Sequence, residues 1–200
     1  MNTRRRKWLT FLEGRSKKYH RKDLRERVGD VLTGPVPLEA LKEVGDALRD
    51  VPHAIIGGHA VTIQGQPRMT SDVDVLVQPA YLNLAVERLG GRVVGPLNIG
   101  GKIVNAGRVE VDLVSPDADW VSAAVAHAET TKYGQIASRP YLVVSKMWDS
   151  RGEQDDTDVV GIIRKMNEEE VAETQKVVKR YLPGDVDDLD QLIQIARGTE

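Results

Sequence analysis

The sequence contains no cysteine, and this absence excludes several kinds of site. Without a thiol the chain has no disulfide framework, no cysteine nucleophile and no cysteine-ligated zinc. Disulfides persist in oxidising compartments and are rare in the cytosol. We therefore expect a cytoplasmic protein.

Long apolar runs and several common catalytic and nucleotide-binding motifs are also absent from the sequence. No apolar run approaches the ~20 residues that a membrane-spanning helix needs, so we expect no membrane partner. The basic N-terminus is not followed by an apolar segment of the signal-peptide type. The four histidines form no His-Glu-x-x-His pair, and no serine triad is evident. A P-loop would need glycine at Pro96 and Ser or Thr at Ile103.

What remains is the composition of an ordinary globular protein with an uneven charge distribution. The 200 residues are 40% hydrophobic and 29% charged, enough for one cored domain plus a small appendage. Residues 1–27 carry 11 Lys/Arg and three acidic residues, a balance of +8, whereas the rest carries 17 and 27, a balance of -10. This indicates a basic arm, expected to be helical over residues 1–34, on an acidic body.

The basic arm has two interpretations. Trp8, Phe11 and Tyr19 are interleaved with its charges, a pattern suited to phosphates and stacked bases of a nucleic acid. The alternatives are a solvated tail, or an amphipathic helix that pairs with the acidic surface of the same protein.

Hydrophobic periodicity predicts an α/β part followed by a helical part. Residues 38–49 read as a helix, HAIIGG as a short strand, HAVTIQG as two helical turns, SDVDVLV as a strand and 82–89 as a helix. Short strands with hairpin turns near 100–101 and 106–107 follow. After residue 117 we predict helices only, at 118–129, 140–150, 155–166, 168–181 and 187–197. The predicted regions are 1–34, 35–116 and 117–200.

Two predicted strands place acidic residues on one face. In DVDVLV, Asp72 and Asp74 point to one side while the valines point to the other, and in VEVDLV, Glu110 and Asp112 are expected to face outward in the same way. If the strands are neighbours, Asp112 joins the pair. Converging carboxylates are costly without a cation and suit Mg²⁺ with substrate phosphates.

The glycines before this strand predict an anion site. Gly57 and Gly58 lie where a strand turns into a helix, so backbone N–H groups there can face a phosphate without obstruction from a Cβ atom. Arg68, between the glycines and the aspartates, could pair with the same phosphates. Thr70 and Ser71 are further candidates for nucleotide binding. His59 could bind substrate, although packing or capping is the simpler role.

The stretch GGHAVTIQGQPRMTSDVDVLV followed by VEVDLV resembles the nucleotidyltransferase superfamily with the DNA polymerase β-like fold. It looks most similar to the small bacterial AbiEii-type and minor nucleotidyltransferases, over about residues 50–165. The resemblance implies a short mixed sheet flanked by helices, with a helical C-terminal region. It also implies that Asp72, Asp74 and Asp112 are the catalytic and metal-binding residues, with Asp112 preferred to Glu110.

The same family carries a lysine, an arginine and aspartates on later helices, and SKMWDSRGEQDDTDVV supplies candidates. Lys146 would reach the triphosphate, or its stem would only cover the core. Arg151 and Asp155 could form a surface pair. Asp158 is the preferred acid for contact with the nucleotide.

The resemblance implies a pyrophosphate-releasing enzyme that uses an NTP and two Mg²⁺ ions, with Mn²⁺ as a substitute. The predicted acceptor is an RNA end, such as that of tRNA, or a protein hydroxyl, in a toxin that an antitoxin partner could neutralise. Two alternatives remain: a transferase acting on an aminoglycoside-like small molecule, and a non-catalytic nucleotide- or RNA-binding module.

Overall fold

A computed structural model describes residues 36–65, 67, 69–150 and 152–198. The predicted basic arm therefore lies outside the described residues, as do Arg68 and Arg151. Within the described ranges, no helix is long and apolar enough to cross a membrane.

The described chain alternates strands and helices before it becomes mainly helical. The strands are β1 (His53–Ile55), β2 (Val73–Val77), β3 (Arg92–Pro96), β4 (Gly101–Ala106), β5 (Val109–Val114), β6 (Glu129–Thr131) and β7 (Gly134–Ile136). The helices are α1 (Leu38–Ala47), α2 (Gly57–Gln64), α3 (Leu82–Leu89), α4 (Asp119–Ala126), α5 (Arg139–Trp148), α6 (Glu153–Ile163), α7 (Glu168–Tyr181) and α8 (Val186–Arg197). Short 3₁₀ turns at Pro79–Tyr81 and Pro183–Asp185 lead into α3 and α8.

One mixed sheet of seven strands, in the order β3-β4-β5-β2-β1-β7-β6, organises these elements. The β2–β5 and β1–β7 pairs are parallel, and the other pairs are antiparallel. Helices α1 to α4 pack against the strands, and α5 to α8 pack on one another. The prediction of a mixed sheet flanked by helices and followed by a helical C-terminal region is confirmed.

The central strands are buried on both faces. Val73, Val75, Leu76 and Val77 are all fully buried although successive residues of a strand point to opposite sides. A sheet covered on both faces fixes the register of its strands, because a shift of one residue would exchange every buried side chain with its neighbour. The positions of the acidic residues on β2 and β5 are therefore set by the core.

The sequence missed one feature of this region. It predicted a helix over 118–129 and no strand after residue 117, whereas α4 ends at Ala126 and the hairpin of β6 and β7 follows. These strands are three residues long, and only Ile136 is buried among their side chains, so they carry little hydrophobic alternation. Since β7 pairs with β1, the sheet includes strands on both sides of residue 117. The division into 35–116 and 117–200 stays a prediction.

Burial of His53 on β1 generates a prediction about pH. Its Nδ1 lies 2.8 Å from the carbonyl oxygen of Val51, so Nδ1 must donate and added protons go to Nε2, which has no hydrogen-bond partner among the described residues. Burial lowers the pKa of His53, and the backbone hydrogen bonds offset this only in part.

The unfolded chain then binds the proton more readily than the folded chain, so stability falls as the pH drops below about 6.5. We expect His53→Gln to reduce this loss by up to about 1.4 kcal/mol per pH unit. Urea unfolding at pH 7.5 and pH 5.5 measures it, with His127→Gln at an exposed position as the control. An equal loss in the wild type and in His53→Gln would show that His53 does not contribute.

Candidate functional site

The site begins where β1 turns directly into α2. The Ile56 N–H donates to the Asp74 carbonyl at 2.9 Å, so the pairing of β1 with β2 continues one residue beyond the strand. Gly57, the next residue, has φ +66°, a conformation that glycine adopts without strain. This turn brings the first residues of α2 beside the start of β2.

Asp74 packs directly against Gly57. A Cβ atom built on Gly57 would lie 2.5 Å from Cγ and 2.8 Å from Cβ of Asp74, which is closer than atoms can approach. Only glycine therefore permits this contact. The Asp74 side chain lies at the beginning of α2, the end of a helix that attracts negative groups and phosphate ligands.

Asp112 lies beside Asp74 on the neighbouring strand. The parallel register of β2 and β5 pairs Asp74 with Asp112, so both side chains are on the same face, on strands ~4.8 Å apart. Asp112 is 3% exposed, and its partner across β4 is Ile103. The expectation that Asp112 faces outward is wrong, because this face of the sheet is covered there. The condition under which Asp112 would join the pair, that β2 and β5 are neighbours, is met.

Asp72 and Glu110 lie on the same face of the sheet, two residues before Asp74 and Asp112. Asp72 directly precedes β2 and is 9% exposed, whereas Glu110 is partly buried and pairs with Asn105 on β4. Extending the β2–β5 register by one pair places Glu110 opposite Asp72. Glu110 is therefore nearer in register to Asp72, and Asp112 is the residue beside Asp74.

Thr70 holds the Asp72 carboxylate. Its hydroxyl donates to Asp72 Oδ1 at 2.8 Å, and its carbonyl accepts a hydrogen bond from the Val36 N–H at 3.0 Å. The sequence indicated nucleotide binding for Thr70 and did not indicate this contact with Asp72. Its position two residues before an aspartate was the available signal, since threonine hydroxyls bond groups two residues away in turns. Ser71, the residue between them, is partly buried in a bend.

His59 lies close to the same carboxylate. It is the third residue of α2, is 4% exposed, and its Nε2 has no hydrogen-bond partner among the described residues. Burial lowers the pKa of His59, and the charge of Asp72 opposes that shift. The sequence alone gave His59 no role. The structure places it in the electrostatic field of Asp72.

Lys146 lies in a buried ion-pair cluster. Its Nζ is 2.9 Å from Asp155 Oδ1 and 2.8 Å from Asp158 Oδ2, and all three side chains are at most 4% exposed. The cluster joins α5 to α6, and both of these helices contact α2. Asp155 thus pairs with Lys146 on another helix. Contact of Lys146 or Asp158 with a nucleotide stays a prediction.

The carboxylates were predicted to hold two metal ions. Within the described ranges, no group of three or more histidine, aspartate or glutamate side chains is close enough to hold one. Mg²⁺, however, commonly binds through one or two carboxylates together with substrate phosphates, and it keeps several waters. Asp74 and Asp112 supply such a pair beside the glycine turn. The residues present therefore fit a cation that arrives with a nucleotide.

Comparison with known proteins identifies no family and finds solved structures of low similarity. No protein-family model matches the sequence, and no curated protein matches it. The crystal structure of ANT(2")-Ia in complex with adenylyl-2"-tobramycin is similar with a TM-score of 0.44 and 18% identity, over 81% of this chain and 97% of that one. The solution structure of the antibiotic-resistance factor ANT(2'')-Ia gives 0.43 and 19%, over 80% and 91%. Similarity at this level establishes neither a family nor an activity.

The contact between Gly57 and Asp74 generates a prediction for which Gly90 is the control. Gly57 and Gly90 have nearly equal φ angles, +66° and +60°, but a Cβ atom on Gly90 would meet nothing within 4 Å. Alanine at either position should incur a similar backbone penalty. Gly57→Ala should cost about 1–3 kcal/mol more in the free energy of unfolding, because it also displaces Asp74. Urea unfolding of both variants measures the difference, and equal losses would contradict the contact.

The Lys146 cluster generates a second prediction. Lys146→Met removes the ammonium that bridges the two buried carboxylates, and breaking a buried pair in this way costs about 3–5 kcal/mol. The control is Lys42→Met, which removes the exposed Lys42–Asp46 pair of α1 and should change stability little. Chemical denaturation compares them. A Lys146→Met protein as stable as Lys42→Met would show that the cluster does not hold α5 to α6.

Proposed function

We propose that this chain is a metal-dependent nucleotidyltransferase that moves a nucleoside monophosphate from an NTP to an acceptor hydroxyl and releases pyrophosphate. The observation that carries the proposal is the pairing of Asp74 with Asp112 on adjacent parallel strands, with Asp74 packed against the glycine that begins α2. Carboxylates next to a helix N-terminus match what phosphoryl transfer requires: a place for a divalent cation and a place for phosphate oxygens.

The roles of the residues follow from their positions. Gly57 and Gly58 begin α2 and would present backbone N–H groups to the phosphates, with Arg68, Ser71, Lys146 and Asp158 as further proposed nucleotide contacts. Asp74 and Asp112 would hold Mg²⁺ or Mn²⁺ as a pair, and Asp72, at the preceding position of the same face, would join them once the cation is bound. When bound, the cation neutralises phosphate charge and orients the nucleotide. Asp112, buried and beside Asp74, is the residue that we expect to accept the proton of the attacking hydroxyl.

For the acceptor, we propose the end of an RNA such as tRNA. The balance of +8 in residues 1–27, with three aromatic residues among the charges, suits an RNA backbone with stacked bases. The other acceptor that we include in this proposal is a protein hydroxyl. The proposal includes similarity to AbiEii-type toxins and an antitoxin partner, which rest on the sequence motifs, and a cytoplasmic location, which rests on the absence of cysteine.

A small-molecule acceptor is the second candidate. The rest of the chain has a balance of -10, and a cationic acceptor such as an aminoglycoside would be attracted to an acidic body. Tobramycin, whose adenylylated form is seen in the crystal structure of ANT(2")-Ia, is a small molecule of this kind, but the low similarity adds no weight to this candidate. A module that binds nucleotide or RNA without catalysis would need no carboxylate pair of this geometry.

A label-transfer assay tests the activity and the acceptor together. The purified protein is incubated with Mg²⁺, each of the four α-phosphate-labelled NTPs, and separate pools of cellular RNA, protein and tobramycin. We expect label in the RNA pool. Asp74→Asn and Asp112→Asn should each lower transfer at least about a hundredfold, because each removes a cation ligand. Asp46→Asn, at an exposed position of α1, is the control and should keep full activity.

The outcomes of this assay distinguish between the possible acceptors and between catalysis and binding alone. Label in protein or tobramycin alone would replace RNA as the acceptor and keep the proposed chemistry. Transfer that survives both substitutions would show that the carboxylate pair is not the site. Nucleotide binding without transfer into any pool would favour the non-catalytic module.

A further inference from the structure

Asp72 differs from the other two aspartates in how its position is fixed. Asp74 and Asp112 lie within β2 and β5, and Asp74 is also pressed against Gly57. Asp72 precedes the first residue of β2, Val73, and ends the connection from α2. Because a carboxylate outside the regular strand has more conformations available, a productive orientation of Asp72 needs another contact.

Thr70 supplies that contact, and its geometry is fixed at two points. The hydroxyl donates to Asp72 Oδ1 at 2.8 Å, a charge-assisted hydrogen bond. The Thr70 carbonyl is held by the Val36 N–H at 3.0 Å, and Val36 directly precedes Pro37 at the start of α1. A β-branched side chain on a backbone held in this way has few χ1 rotamers available, so the hydroxyl direction is set as well.

The chemistry of a hydroxyl separates this role from contact with nucleotide. Threonine carries a single O–H donor, and phosphate oxygens without a proton only accept. A Thr70 hydroxyl that donates to Asp72 therefore cannot donate to a phosphate at the same time. The structure thus favours a role through Asp72 over the nucleotide-binding role that the sequence indicated.

We propose that Thr70 is a positioning residue that orients the Asp72 carboxylate toward the cation brought by the nucleotide, and that Val36 anchors it. This inference rests on the proposed function, since it takes Asp72 as a cation ligand. It makes Thr70 part of the support of the site, although Thr70 itself touches neither cation nor substrate. A group that orients a metal ligand typically changes affinity for the metal by about 10- to 100-fold.

The test measures binding of Mn²⁺ by electron paramagnetic resonance in the presence of a non-hydrolysable α,β-methylene ATP, so that no turnover is needed. Thr70→Val keeps the branched shape and removes the hydroxyl, whereas Thr70→Ser keeps the hydroxyl. We expect Thr70→Val to weaken Mn²⁺ binding about tenfold and Thr70→Ser to stay within about threefold of the wild type. Thr157→Val is the control, because the hydroxyl of Thr157 donates to the Glu153 carbonyl within α6, at an exposed position.

A double-mutant cycle shows whether Thr70 acts through Asp72. In an Asp72→Asn background, Thr70→Val should cause no further loss of Mn²⁺ affinity, because the carboxylate that it orients is already gone. Circular dichroism confirms that each variant is folded. The same cycle on urea unfolding reports the Thr70–Asp72 coupling without any metal.

The outcomes separate the inference from the function on which it rests. If the wild type binds Mn²⁺ with the nucleotide and Thr70→Val binds equally well, the inference is overturned and the proposed function stands. Equal losses in Thr70→Val and Thr70→Ser, or additive losses in the cycle, would also overturn it. If the wild type binds no Mn²⁺ even with the nucleotide, the cation site fails and the positioning role fails with it.

Discussion

The parallel pairing of β2 with β5 is the constraint on which the candidate site depends. Two strands that are distant in the sequence contribute one carboxylate each at the same level of the sheet, Asp74 and Asp112. The chain between them forms α3 and the antiparallel strands β3 and β4, which continue the sheet beyond β5. Parallel neighbours require such a crossover, so α3 and the outer hairpin are what allow the two aspartates to meet.

This pairing has an energetic cost. Two carboxylates at paired positions repel each other when both are charged, and the burial of Asp112 adds the cost of removing its charge from water. A chain selected only for stability would place apolar residues at these positions, as it does at Val73 and Val111 on the opposite face. A bound cation removes the repulsion, so ligand binding and stability are coupled at this site.

The local geometry of the site could be predicted from the sequence because it depends on short-range rules. The period of a strand places Asp72 and Asp74 on one face, and a glycine before a helix marks the turn at Gly57. Asp112 was expected to join the pair if its strand lay beside β2, and the register places Asp112 opposite Asp74 on the neighbouring strand. These inferences need only residues within a few positions of one another, or one assumption about strand order.

The remaining features depend on which helices and strands pack against one another. Short-range sequence patterns do not show these contacts. Alternation along β5 shows that Asp112 and Val111 face opposite sides, but not that both sides are covered. The hairpin of β6 and β7 escapes detection because it is short and mostly polar. Asp155 pairs with Lys146 across two helices, a contact that the four-residue spacing of Arg151 and Asp155 did not indicate.

The Lys146 cluster has two physical explanations. A lysine buried between two carboxylates is seldom retained for stability, because apolar side chains of similar volume usually hold helices together at least as well. What an ion pair can add is specificity, since an arrangement of α5 and α6 that moved Lys146 away from Asp155 and Asp158 would lose both contacts inside the core. Both helices contact α2, whose first residue supports Asp74. The cluster can therefore act on the site by fixing the helix that begins there, without any contact between the lysine and a nucleotide.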